Sequence, residues 1–161
     1  MEIAAEHTTA GHAARTGEEV GLWRALGRVT QRLPRLLDEA MVRDTGLTMT
    51  EFAILDALSE APDTTARVSE LAAAIGLSPS RVSRALDALT SHGWCRRQPD
   101  VRDKRAALAV LSDEGRERVK AAMPHHQRLA HEYVLAHVPT DVRAALTAAL
   151  TAIAEANHNH S

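Results

Sequence analysis

Gln98-Pro99-Asp100-Val101-Arg102-Asp103-Lys104-Arg105 packs five charged residues behind one proline. Trp94 to Gln98 before it and Ala106 to Leu111 after it read as short strands, so the stretch is the tip of a charged hairpin with its turn at Pro99. Upstream, Leu77-Ser78-Pro79-Ser80-Arg81-Val82-Ser83-Arg84 opens a short helix. Ser78 is a good N-cap, and Pro79 suits the first helical position, where its missing N–H costs nothing.

At about 100° per residue, Val82, Ala85, Leu86 and Leu89 of this helix fall on one side and form a core face. Ser80, Ser83, Arg84 and Asp87 fall opposite, with Arg81 on the flank. The outer face near the N-terminus is therefore small, hydroxylated and cationic. The helix closes at Gly93. The preceding short helix, expected to be capped by Ser69, ends at Gly76, a natural left-handed C-terminal position. Two helices joined by Gly76-Leu77-Ser78 make a tight helix-turn-helix unit.

The rest of the chain is built around this pair. A long helix is expected from about Glu18 to Val42, with Leu22, Leu26, Val29, Leu33, Leu36 and Ala40 stepping by alternating fours and threes. Such a heptad-like stripe calls for a partner helix. Pro34 removes a backbone donor there and is expected to bend it. Thr48-Met49-Thr50-Glu51 is a capping box that opens a helix carrying Phe52, Leu55 and Leu58. Pro62 to Thr65 is a turn, and Arg67-Val68 a very short strand. Ser112 caps a long helix through about His137, bent at Pro124. Pro139-Thr140 starts a last helix with Val142, Leu146, Ala149, Leu150 and Ile153 on one face.

The chain has 161 residues and a net charge of −2. From Ser78 to Arg105 seven basic residues stand against three acidic ones, a local charge of +4 that leaves −6 for the remainder. One basic face on an acidic body is the footprint of a localised phosphate contact. Aromatic residues make up only 2% of the chain, which argues against a single-strand binder that stacks bases on exposed rings. Neither a signal peptide nor an apolar run of about 20 residues is seen, so the expectation is a cytoplasmic protein without a membrane partner. Phosphate-loop, nucleophile-elbow, zincin and dinucleotide motifs are absent, and no enzyme is expected.

The expected fold is mainly α with a small β-hairpin wing: a winged helix-turn-helix whose first helix calls for a partner. The boundaries are a flexible arm over 1–17, helical regions over 18–47 and 112–157, and a DNA-binding lobe over 48–111. Such a helix enters a major groove, where arginine grips guanine O6 and N7, while the hairpin tip suits a narrow, negative minor groove. The candidate contacts to double-stranded DNA are Ser78, Ser80, Arg81, Ser83, Arg84, Arg102, Lys104 and Arg105. Asp100 and Asp103 would repel phosphate, so their expected role is to position neighbouring arginines through charge-assisted hydrogen bonds.

Asp100-Val101-Arg102-Asp103-Lys104-Arg105 resembles the D-x-R-D-x-R wing signature of the MarR (multiple antibiotic resistance regulator) family. Leu111-Ser112-Asp113-Glu114-Gly115, Ser69-Glu70-Leu71-Ala72, Ser78 to Leu89 and Gly93-Trp94 also resemble segments of that family. The resemblance runs from about Leu22 to Ala154. It implies a homodimer, dimerised through the N- and C-terminal helices of regions 18–47 and 112–157, whose two winged lobes read a pseudo-palindromic operator, with Arg102 in the minor groove and Asp100 as its positioning partner. It further implies a repressor released by a small aromatic or anionic effector, with Trp23 as a wall of the pocket, although packing against a partner helix also accounts for a tryptophan there. The alternatives are a redox-responsive regulator acting through the lone Cys95, a metal-responsive one, or an interaction adaptor that has lost DNA binding. His125, His126, His131 and His137 contain no i,i+4 pair, and His7, His12, His158 and His160 lie near the ends, so neither a metal site nor a cofactor is expected.

Overall fold

The computed structural model describes residues 16–101, 103 and 106–158. Most of the expected arm, together with Arg102, Lys104, Arg105, His7, His12 and His160, lies outside the described residues. The chain divides after Pro34 into two compact units. The first carries the N-terminal part of helix α1 (Gly17–Thr45), whose helical run continues past Pro34. Leu22, Trp23 and Val29 are exposed along it.

The second unit holds the rest of α1 and the remaining elements. These are α2 (Met49–Glu60), β1 (Thr65–Arg67), α3 (Val68–Ile75), α4 (Pro79–Ser91), β2 (Cys95–Pro99), β3 (Ala107–Leu111), α5 (Asp113–Tyr133) and α6 (Arg143–His158). Short 3-10 turns cover Pro62–Thr64, Leu135–His137 and Thr140–Val142. The strands form one antiparallel sheet in the order β1-β3-β2. The short strand expected at Arg67-Val68 is thus Thr65–Arg67, and it covers the second edge of β3.

Helix α2 is the hub. Thr48 Oγ1 accepts from the Glu51 amide at 3.1 Å and Glu51 Oε2 accepts from the Thr48 amide at 2.8 Å, the expected reciprocal box. Asp38 of α1 adds a third acceptor, taking the Met49 amide at 2.8 Å. Phe52, Ile54, Leu55 and Leu58 are buried against Leu71 and Ala72 of α3, Val82, Leu86 and Leu89 of α4, and Val119, Ala122 and Leu129 of α5. Each buried leucine or phenylalanine contributes about 1.5–3 kcal/mol by leaving water.

Three boundaries differ from the expected ones. Ser69 does not cap α3. Arg67 holds that position, and Glu70 Oε2 accepts its amide at 3.1 Å. Helix α5 ends at Tyr133, because Val134 leaves helical geometry and Arg143 takes the carbonyls of Leu135 at 3.0 Å and Val138 at 3.1 Å. The last helix starts at Arg143, after the turn at Thr140.

Candidate nucleic-acid interface

The turn between α3 and α4 is closed by backbone geometry alone. Gly76 adopts φ +68°, and the amides of Gly76 and Leu77 return to the carbonyls of Ala73 and Ala72 at 3.3 and 2.9 Å. A side chain at that φ would be strained, which explains the glycine. Ser78 then caps α4, its Oγ accepting from the Arg81 amide at 3.4 Å and lying 3.2 Å from Ser80 Oγ.

Val82, Leu86 and Leu89 anchor α4 in the core, as the wheel predicts. Ser80, Arg81, Arg84 and Asp87 are exposed, and Ser83 is half-buried. Among the described residues, neither the Arg81 nor the Arg84 guanidinium has an ion-pair partner. The first two turns of α4 therefore present Arg81 and Arg84, neither ion-paired among the described residues, beside the hydroxyls of Ser80 and Ser83.

The wing is tied to this helix. Pairing runs from Cys95 opposite Leu111 to Pro99 opposite Ala107. Beyond it, the Asp100 amide donates to the Ala106 carbonyl at 3.1 Å and the Ala106 amide to the Asp103 carbonyl at 2.9 Å. Val101 is 94% exposed, so the tip projects from the sheet. Arg97 on β2 reaches back to Ser83 and Asp87 of α4.

Asp100 is 6% exposed, the single buried charge among the described residues. Its Oδ2 accepts from Arg67 Nε at 2.8 Å and Nη2 at 2.7 Å. That hydrogen bond, and then the charge of Asp100, push the Arg67 guanidinium up from its already high range. Asp100 thus holds Arg67, the residue that opens α3 and a partner that sequence reasoning missed. A buried carboxylate at a hairpin tip demands a cation, and Arg67 is the basic residue at the neighbouring sheet edge.

The base of the wing joins α5. Trp94 stacks on His92 with centroids 4.5 Å apart, and the Arg118 guanidinium lies 5.0 Å from the Trp94 ring. Arg118 also donates to the Thr45 carbonyl at the end of α1. Ser112 Oγ accepts from the Gly115 amide at 3.0 Å and donates to the Gly93 carbonyl at 2.7 Å. Gly115 itself lies flat against the Trp94 carbonyl, with no room for a side chain.

Cys95 is buried beneath α4, its Sγ 3.6 Å from Thr90 Oγ1, and burial pushes the thiol up. Of the histidines, His126 stacks on Phe52 at 4.4 Å. No group of three or more potential metal ligands comes together among the described residues. Trp23 is 65% exposed on α1.

Residues 47–107 match the family model described as MarR family. The chain is similar to a HTH-type transcriptional regulator of Bacillus subtilis, YkoM, with 31% identity over 113 residues covering 68% of this chain and 71% of that protein. It is similar to the transcriptional repressor MprA of Escherichia coli, with 27% identity over 57% of this chain and 52% of the repressor. Among solved structures it resembles a MarR family transcriptional regulator from Streptomyces coelicolor in complex with DNA. The TM-score there is 0.83 and the identity 30%, covering 89% of this chain and 90% of the other.

Proposed function

The chain belongs to the MarR family of transcriptional regulators, and from that premise we propose that it reads a pseudo-palindromic operator in double-stranded DNA as a homodimer. The observation that carries the proposal is the pairing of two exposed, uncommitted arginines on α4 with a charged wing bonded to the same helix. Helix α4 enters the major groove. Ser78, Ser80 and the first-turn amides meet phosphate there, while Arg81, Ser83 and Arg84 face the bases. Arg102, Lys104 and Arg105 of the wing tip follow the adjacent minor groove, with Asp100 and Asp103 as positioners.

Selection from a randomised duplex pool, followed by titration at several salt concentrations, tests this. A palindromic motif is expected, with affinity falling by about 10³-fold or more between 50 and 200 mM salt as counterions are released. Binding of no duplex would leave the adaptor alternative instead.

A second copy of the chain supplies the missing partner helix. Leu22, Val29 and Leu36 on α1, and Leu146, Leu150 and Ile153 on α6, are each at least 40% exposed in the single chain. On α6 the spacing of four and three residues puts them on one face. We divide the chain accordingly, with dimerisation regions over 18–47 and 112–157 and a reading lobe over 48–111. The double substitution Leu150→Asp, Ile153→Asp is expected to yield a monomer by sedimentation velocity. Operator affinity should fall at least about 100-fold, because two linked lobes act at high effective concentration. An intact dimer would remove α6 from the interface.

The regulator acts in the cytoplasm as a repressor released by a small aromatic or anionic molecule, with Trp23 as a wall of its pocket. No helix among the described residues is long and apolar enough to cross a membrane. Cys95 does not favour the redox alternative, since a buried thiol with a raised pKa supplies little thiolate.

A further inference from the structure

One guanidinium joins the two DNA-facing elements. Arg97 sits on β2 opposite Ala109, two residues from the buried Cys95 and so on the same side of the strand. Its Nη2 donates to the Ser83 carbonyl at 2.7 Å, to Ser83 Oγ at 2.9 Å and to Asp87 Oδ1 at 2.8 Å. Nη2 carries two protons for these three acceptors, so at least one N–H is shared between two of them. Its Nε is buried without a partner.

The consequences fall on Ser83 and Asp87, one turn apart on α4. A serine hydroxyl both donates and accepts, so by itself it tells a base acceptor from a base donor poorly. Arg97 occupies one of the two lone pairs of Ser83 Oγ and so biases the hydroxyl toward donating outward. Asp87 is a carboxylate on the face that meets a polyanion. Uncompensated, it would repel phosphate or accept from the cytosine N4 amine. Arg97 neutralises it and holds it toward the wing.

We propose that Arg97 is a specificity-determining positioning residue. It biases Ser83 toward donating a hydrogen bond to an acceptor edge in the major groove, and draws Asp87 toward the wing. The acceptor is guanine O6 or N7, adenine N7 or thymine O4. The inference rests on the DNA-reading function proposed above and assigns one position of that readout to a residue that touches no base.

The test compares motifs selected from a randomised duplex pool by the wild-type protein, Ser83→Ala, Arg97→Met and Arg97→Lys, with the melting temperature of each. Ser83→Ala identifies the base pair that Ser83 reads, as the position whose preference it loses. Arg97→Met is expected to lose discrimination at that same pair by about fivefold or more, with cytosine gaining, while the other positions keep their preference. Arg97→Lys, a point charge that cannot hold all three acceptors, is expected to show an intermediate loss there. It carries the test if Arg97→Met does not fold. Unchanged discrimination at that pair, or a uniform loss of affinity on every sequence, would overturn the assignment, the latter by making Arg97 merely structural. A Ser83→Ala motif identical to the wild type overturns it as well. A wild-type protein that selects no motif overturns the DNA-reading function itself.

Discussion

Replacing Gly115 with alanine is expected to cost about 3 kcal/mol of stability, the sum of overpacking and loss of the Ser112 cap. A methyl group there would be driven into the Trp94 carbonyl, and would lie 2.8 Å from Leu111 Cδ1. The carbonyl cannot retreat, because it accepts the Ser112 amide at 3.1 Å, and Ser112 in turn holds Gly93. The first turn of α5 must therefore lift, which breaks the cap and loosens Trp94, His92 and Arg118 together. Thermal unfolding should shift down by about 10 °C, given about 2–4 °C per kcal/mol for a domain of this size. Glu114→Ala, on the exposed residue before it, is the control and should change stability by less than about 0.5 kcal/mol. A Gly115→Ala melting temperature within 2 °C of the wild type would mean that the junction yields, roughly a fifth of the expected shift.

The second large effect is on binding. Arg102→Ala is expected to weaken operator affinity by about 100-fold while the dimer and its melting temperature stay unchanged, with a log–log salt slope about one unit shallower for the lost phosphate-groove charge. The sheet ends at the Pro99–Ala107 pair, the Asp100–Ala106 and Asp103–Ala106 bonds close the tip, and Val101 within it is 94% exposed. On the proposed reading Arg102 enters a narrow minor groove, where the potential is most negative over A·T runs. The loss should therefore be largest on operators with A·T flanks. Arg67→Met, which leaves the tip residues in place but unties Asp100 from α3, should reproduce about tenfold of it if the anchor aims the tip. Wild-type affinity for Arg102→Ala in fluorescence anisotropy would take the wing out of the mechanism.

Elements whose signals lie within a few neighbouring residues were legible in the chain. Thr48 and Glu51, Gly76, Ser78 with Pro79, and Ser112 each act on amides or carbonyls within about one helical turn. The apolar stripes were equally plain, and the core face of α4 came out as drawn. What was not legible depends on partners far apart in sequence. Arg67 displaced Ser69 at the start of α3, although arginine is a poor N-cap. Its guanidinium is committed to Asp100, 33 residues away, and Glu70 serves its amide instead. Helix α5 ended at Tyr133 because Val134 leaves helical geometry, and Arg143, beyond the turn, takes the carbonyls of Leu135 and Val138. Arg97 counted only as one charge among seven. Its acceptors on α4 lie 10 and 14 residues away and are reached only once the hairpin packs on the helix.

The strand order β1-β3-β2 has one more consequence. Strand β3, Ala107-Leu108-Ala109-Val110-Leu111, is an uncharged apolar run of the kind that templates fibrils. It is shielded on both sides, by three residues of β1 and by β2. Strand β2 carries the exposed Arg96 and ends on Pro99, a cation and a residue with no amide to offer an incoming strand. The arginine-rich base of the wing thus also guards the chain against self-templated aggregation. Exchanging those residues for strand-forming neutral ones would cost solubility.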